Sequence, residues 1–179
     1  MRELGEILNL GIEYRRTLFL PFRKTISQIS GNIRNKSVVI FSSHSRQSPN
    51  RIVAQIQLQA KNDISFYATK KRLGYSFLRV LSRDIVISHN PILDRKILFR
   101  CNNSDFADEL FRYEEICEKF DNLFSDKFNT GIFTLGESSV FYYEKINFLT
   151  KRRRMRFKVA VDLMCDLLDV LYFYNKRVK

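Results

Sequence analysis

From Arg51 to Ala68 apolar and polar side chains alternate almost residue by residue. Ile52, Ala54, Ile56, Leu58 and Ala60 take one side and Gln55, Gln57 and Gln59 the other; after Lys61-Asn62 the alternation resumes with Ile64, Phe66 and Ala68. Successive side chains on a strand point to opposite faces, so a period of two describes a strand with one dry and one wet face. An antiparallel sheet with a solvated side satisfies that pattern, whereas a parallel sheet covered on both faces does not. The spacing predicts strands over Arg51–Ala60 and Asp63–Ala68, paired as a hairpin across the short Lys61-Asn62 link.

Other segments carry the helical period. Residues 2–29 place apolar groups at Leu4, Ile7, Leu8 and Ile12, then at Leu18, Phe19, Phe22, Ile26 and Ile29. This predicts two amphipathic helical pieces broken near Pro21, with Ser30-Gly31-Asn32 as the stop. Lys36–Phe41 reads as a strand, 42–50 as a polar loop and Leu73–Leu81 as a short helix. Asp84–Ser88 and Lys96–Cys101 read as strands joined through Asn90-Pro91. Ser104 is a good N-cap for a helix over Asp105–Phe111. A helix over Glu114–Phe124 follows, then a hairpin (Gly131–Leu135, the Gly136-Glu137-Ser138 turn, Ser139–Tyr143) and a long helix from about Arg153 to Lys176. Strands in hairpins with helices in blocks predict an α+β fold. It has an antiparallel sheet, helices packed on one face, an amphipathic N-terminal helical segment and a long C-terminal helix. In domain terms, 1–30 is the helical segment and 31–179 a single α+β domain.

Charge is distributed unevenly along this scaffold. Residues 1–100 hold 18 Lys and Arg against 6 Asp and Glu, residues 101–150 hold 4 against 10, and residues 151–179 hold 9 against 3. Between Glu13 and Asp63 there is no acid at all. Such a field attracts an anionic partner to one part of the molecule. The residues expected to meet it are Arg15, Arg16, Arg23 and Lys24, then Lys70, Lys71 and Arg72, then Arg152, Arg153, Arg154 and Arg156. Cations at the start of a helix oppose its dipole. The run at 152–156 is therefore expected to be partly compensated by the acids of the two helices between 105 and 118.

Catalytic chemistry finds little support. His44 sits in a serine-rich stretch without a nearby carboxylate to orient it, and His89 precedes Asn90-Pro91. Asp94 with Arg95 is a weak candidate pair for a phosphorylated substrate, and no glycine-rich phosphate loop is present. Asp162, Asp166 and Asp169 share one stripe of the last helix. A solvated stripe or pairing with the basic half is favoured over a metal site. Lys70, Lys71 and Arg72 beside Tyr67, Tyr75 and Phe77 would suit nucleic acid, although aromatics facing the core explain the same residues. Cys101, Cys117 and Cys165 form no C-x-x-C and sit among apolar neighbours, as buried thiols in a reducing compartment do. No cofactor or metal is expected. The longest apolar runs are far short of the ~20 residues that cross a bilayer, and Glu3, Glu6 and Glu13 argue against a cleaved leader.

Gly31-Asn32-Ile33-Arg34 before Val38-Val39-Ile40, then Asp84-Ile85-Val86-Ile87, Leu93-Asp94-Arg95-Lys96-Ile97-Leu98-Phe99, Asn103 and Ala107–Leu110 follow in a recognisable order. In these residues the chain resembles an uncharacterised bacterial domain of unknown function, usually found after membrane-spanning helices. Leu93 stands where that family tends to show Phe. The resemblance implies a membrane-proximal interaction domain and carries over no functional residues.

The expectation is a basic, non-enzymatic interaction or scaffold domain. It is cytoplasmic and membrane-peripheral, and docks on an anionic membrane surface or an acidic protein patch. The alternatives are a nucleic-acid-binding protein or ribonucleoprotein subunit, and an enzyme acting on a phosphorylated substrate.

Overall fold

Among the described residues nine strands form one antiparallel sheet in the order β1-β2-β3-β4-β9-β8-β5-β7-β6. The computed structural model describes residues 1–17, 24–45, 48–71, 85–86, 88–126, 129–145 and 149–178. It describes side chains for all of these except 12–17, 24–27, 43–45, 48–50 and 85–86. The elements run α1 (Arg2–Leu8), β1 (Gly11–Thr17), β2 (Lys24–Ile33), β3 (Lys36–Ser45), β4 (Ser48–Gln57), β5 (Phe66–Lys70), β6 (Ile85–Val86), α2 (Pro91–Lys96), β7 (Ile97–Cys101), α3 (Ser104–Phe111), α4 (Glu114–Phe124), β8 (Ile132–Leu135), β9 (Ser139–Lys145) and α5 (Lys151–Val178). The α+β class, the antiparallel sheet and the long C-terminal helix agree with the sequence reading.

The N-terminal helix is shorter than the apolar spacing predicts. It ends at Leu8, with Asn9 in the left-handed region at φ 54°. The chain then forms β1 and β2 where a second helical piece was expected, and residues 18–23 lie outside the described structure. Ile29 pairs with Ile12 on one side and Ile40 on the other, so its burial comes from a sheet interior. A boundary at 30/31 falls inside β2. The expected 42–50 loop is mostly strand, since β3 runs to Ser45 and β4 begins at Ser48.

The expected hairpin over 51–68 does not form. Ile52, Ala54, Ile56, Ile64, Phe66 and Ala68 are buried as the alternation requires, but β4 pairs with β9 and β5 with β7 and β8. The β8–β9 hairpin, itself as predicted, is inserted between them. The link crosses its turn, with Leu58 N donating to Ser138 O and Asn62 N to Glu137 O, both at 2.8 Å. Asn62 is buried and holds the link in shape by bonding both N and O of Ile64.

Between β6 and β7 the chain makes helix α2, where a simple connection was expected. Asn90 caps it by accepting from Ile92 N and Leu93 N, and Pro91 occupies the first turn. At α3 the cap is Asn103, accepting from Phe106 N at 2.8 Å, one residue before the expected Ser104. The helix expected over Leu73–Leu81 lies outside the described residues.

Helices α3, α4 and α5 bury their apolar faces against the sheet. Phe120 is fully buried and lies with its ring centroid 5.2–6.3 Å from those of Phe66, Phe99, Phe111 and Phe133. The contacts to Phe99 and Phe133 are edge-to-face, as ring quadrupoles favour, and those to Phe66 and Phe111 are tilted. Along α5 the positions Phe157, Ala160, Val161, Met164 and Leu171 are buried.

Candidate functional site

Strand β9 turns Val140, Tyr142 and Glu144 toward the core, so the alternation that buries two apolar groups also buries a carboxylate at 1% exposure. A buried charge of this kind must be paired. The start of α5 supplies the partner: Arg156 reaches Glu144 with Nε–Oε1 at 2.9 Å and Nη2–Oε2 at 2.8 Å, a bidentate fork. Its Nη1 donates to buried Asp126. Tyr142 Oη donates to Glu144 Oε1 at 2.5 Å. Nearby, Asn129 donates to Leu123 O and accepts from Gly131 N. A Cβ at Gly131 would collide with the Tyr142 hydroxyl, which explains glycine there.

Burial opposes the Arg156 charge, but the hydrogen bonds to Glu144 and the charges of Glu144, Tyr142 and Asp126 hold its pKa above the ordinary arginine value. Burial, followed by the Glu144 charge and hydrogen bond, pushes the Tyr142 hydroxyl well above the usual tyrosine range.

Several of the cations expected to meet a partner converge on this network. Lys70 Nζ donates to Asp126 O at 2.8 Å, and Arg152 lies 3.1 Å from the Asp126 carboxylate with its side chain 71% exposed. Arg154 pairs with Glu3 at 2.5 Å and donates to Leu149 O at 3.0 Å. Lys71 Nζ donates to Asp94 O. The compensation expected for the 152–156 run is present, but its acids are Asp126, Glu144 and Glu3; the 105–118 helices do not supply them. Arg156 is inside the protein, where no partner reaches it. Arg153 is half-buried. Arg15 and Arg16 lie near the end of β1 and Lys24 begins β2. Arg23 and Arg72 lie outside the described residues, as do Tyr75 and Phe77.

The two ends of the sheet differ in how their charge is met. At one end the β2–β3 turn is Arg34-Asn35, with φ of 51° and 61°. Asparagine tolerates that region; arginine enters it at a cost. Arg34 is held there by Asp166 at 2.5 Å and Asp169 at 2.6 Å. Lys36 bonds Asp169 at 2.6 Å and Lys119 bonds Asp166 at 2.5 Å. Two of the three stripe carboxylates, Asp166 and Asp169, thus meet cations, Arg34 and Lys36 of the basic half among them, while Asp162 has no ion pair among the described residues. Among the described residues no cluster could hold a metal ion.

At the other end β1 closes on β2 at the Thr17–Lys24 pair, and Arg51 of β4 stands opposite Lys145 of β9. β2 enters at Lys24 and β3 leaves at Ser45, each four residues past the Gln28–Phe41 pair. α5 starts at this end too, because Arg156 reaches Glu144, the residue before Lys145. Here Lys145, Lys151 and Lys158 are exposed and have no ion pair among the described residues. Met155, between the last two, is 47% exposed.

The candidates for catalysis are placed otherwise. Asp94 Oδ1 accepts from Ser88 N and Oγ at 3.0 and 2.9 Å, bracing the turn before α2. Arg95 is exposed on α2. His89 is exposed, 3.5 Å from Asp108, and the His44 side chain is outside the described set. All three thiols are buried and free.

Cys165 has a measurable consequence. Burial pushes its thiol up to about 11 from 9.0, against the lowering charges of Lys36 and Arg34. The folded pKa exceeds the unfolded one, so the contribution to stability is complete below pH 9 and is lost as pH rises through 11. Across that window the native chain should lose roughly 2–3 kcal/mol more than Cys165→Ala, read from urea midpoints under reducing conditions. Parallel pH curves for the two proteins would refute this.

No family model matches the chain, and no curated protein matches it. Among solved structures it is similar to the mycobacterial trehalose monomycolate transport factor A, TtfA, with 13% identity and a TM-score of 0.51. The match covers 94% of this chain and 92% of that one, and at this identity it shows the fold alone. No helix among the described residues is long and apolar enough to cross a membrane.

Proposed function

We propose that the chain is a non-enzymatic interaction module that docks through a basic surface on an anionic partner, either an anionic membrane surface or an acidic protein patch, from a cytoplasmic, membrane-peripheral position. The observation that carries this reading is the cluster of cations where α5 starts. Lys145, Lys151 and Lys158 are exposed and lack ion pairs among the described residues, whereas Arg34 and Lys36 at the other end bond Asp166 and Asp169 and Lys61 beside them is exposed without an ion pair. A field left unmatched on one side draws anions to that side. The likeness in fold to the mycobacterial transport factor supports an accessory role over catalysis.

Nucleic acid is the competing anion. The Tyr143 ring at the basic end is covered by the Arg51 guanidinium at 5.2 Å, which argues against its use as a stacking platform. A salt-titrated comparison decides: acidic polypeptide, phosphatidylglycerol vesicles, neutral vesicles, RNA and duplex DNA are offered to the full chain. Binding to the acidic polypeptide or the anionic vesicles, falling steeply with salt, is expected, with none to neutral vesicles. Tight RNA binding with neither of those would overturn the reading, as would no binding to any polyanion.

A further inference from the structure

We infer that the end of the sheet marked by Thr17, Lys24 and Lys145, together with the first two turns of α5, seats on an anionic lipid bilayer with Met155 as an apolar anchor. This rests on the reading above and assigns it a face and one partner. Strand ends and a helix start gathered at one end of a sheet form a broad rim suited to an extended flat partner. The backbone register brings Arg15, Arg16 and Lys24 to the same end as Lys145, within a stretch of sequence that has no acid between Glu13 and Asp63.

Met155 argues for lipid over protein. Lys151, Met155 and Lys158 are spaced i, i+4, i+7 and all three are exposed, so an apolar thioether stands between two cations on one outward stripe of α5. An acidic protein patch satisfies the lysines and leaves the methionine against charge. A bilayer boundary satisfies both, giving phosphates to the ammonium groups and acyl chain to the side chain between them.

The chain has no tryptophan, so Met155→Trp installs a single reporter. Added to vesicles of phosphatidylcholine with phosphatidylglycerol, Met155→Trp emission should shift to the blue and be quenched by brominated acyl chains. Tyr172→Trp, placed near the far end of α5, should do neither. Replacing Lys145, Lys151 and Lys158 together by Ala should weaken vesicle partition by about 100-fold, at about fivefold per cation, while circular dichroism stays unchanged. Vesicle binding with an unshifted Met155→Trp, or with the shift at Tyr172→Trp instead, would overturn the assignment of this face and leave the docking module standing. Binding to acidic polypeptide without vesicle binding would overturn the lipid assignment alone. Failure with every polyanion would remove both.

Discussion

Arg156→Met will destabilise the fold by about 3–5 kcal/mol, the cost typical of leaving buried charge without its partner. The reason is local. Glu144 is 1% exposed and Asp126 8%, and the guanidinium between them is their shared counter-ion. Methionine matches the aliphatic stem of arginine and creates little void, so the loss reports electrostatics more than packing. A second chain tests that account: adding Glu144→Leu and Asp126→Asn should restore much of the stability, since removing a whole buried ion network costs far less than halving it. Urea midpoints at neutral pH measure both. A loss below about 1 kcal/mol for Arg156→Met would place this network with ordinary surface pairs and sink the argument.

Phe120→Ala should cost a similar 3–5 kcal/mol, for a different reason. Its ring is fully buried on α4 and meets rings from β5, β7, β8 and α3. Truncation removes contacts to three strands and a neighbouring helix at once, and those neighbours are too constrained by their ladders to collapse into the void. Cooperative thermal unfolding provides the measurement, with Ile92→Ala as the control on a side chain 59% exposed. Equal, small losses for both would show that the ring cluster is not the centre of the core.

What could be read beforehand was whatever is decided locally. The β8–β9 hairpin follows from two alternating runs around Gly136-Glu137-Ser138, and its partners are neighbours in sequence. The strand beside β4 is β9, more than 80 positions later, and nothing within 51–68 announces it. Alternation correctly buried Ile56 and Phe66 but was silent about which strand lies alongside. The segment after Leu8 was misread because Ile12, Ile26 and Ile29 satisfy helical spacing as well as a strand's, and β-branched residues favour the latter.

The same limit hid the role of Arg156. In sequence it is one cation in a basic run, and its acids lie 12 and 30 residues away. One signal did exist: Arg156, Ala160, Leu163 and Leu167 form a single stripe of α5, all buried. On the other side, Glu144 falls in phase with Val140 and Tyr142 on the dry face of β9. A charge in phase with apolar positions on both elements foretells a buried pair.

Helix α5 is fastened to the sheet by Arg156 on β9 and by Asp166 and Asp169 on the Arg34-Asn35 turn. A rod tied twice to the same sheet is held against tilting. From Lys151 to Tyr172 it spans about 32 Å at 1.5 Å per residue. Tyr172 and Phe173, each 56% exposed, therefore stand a set distance from Lys151 and Met155. The two exposed regions of α5 are thus held apart by about the width of a small domain, a separation fixed by the helix and its two ties to the sheet.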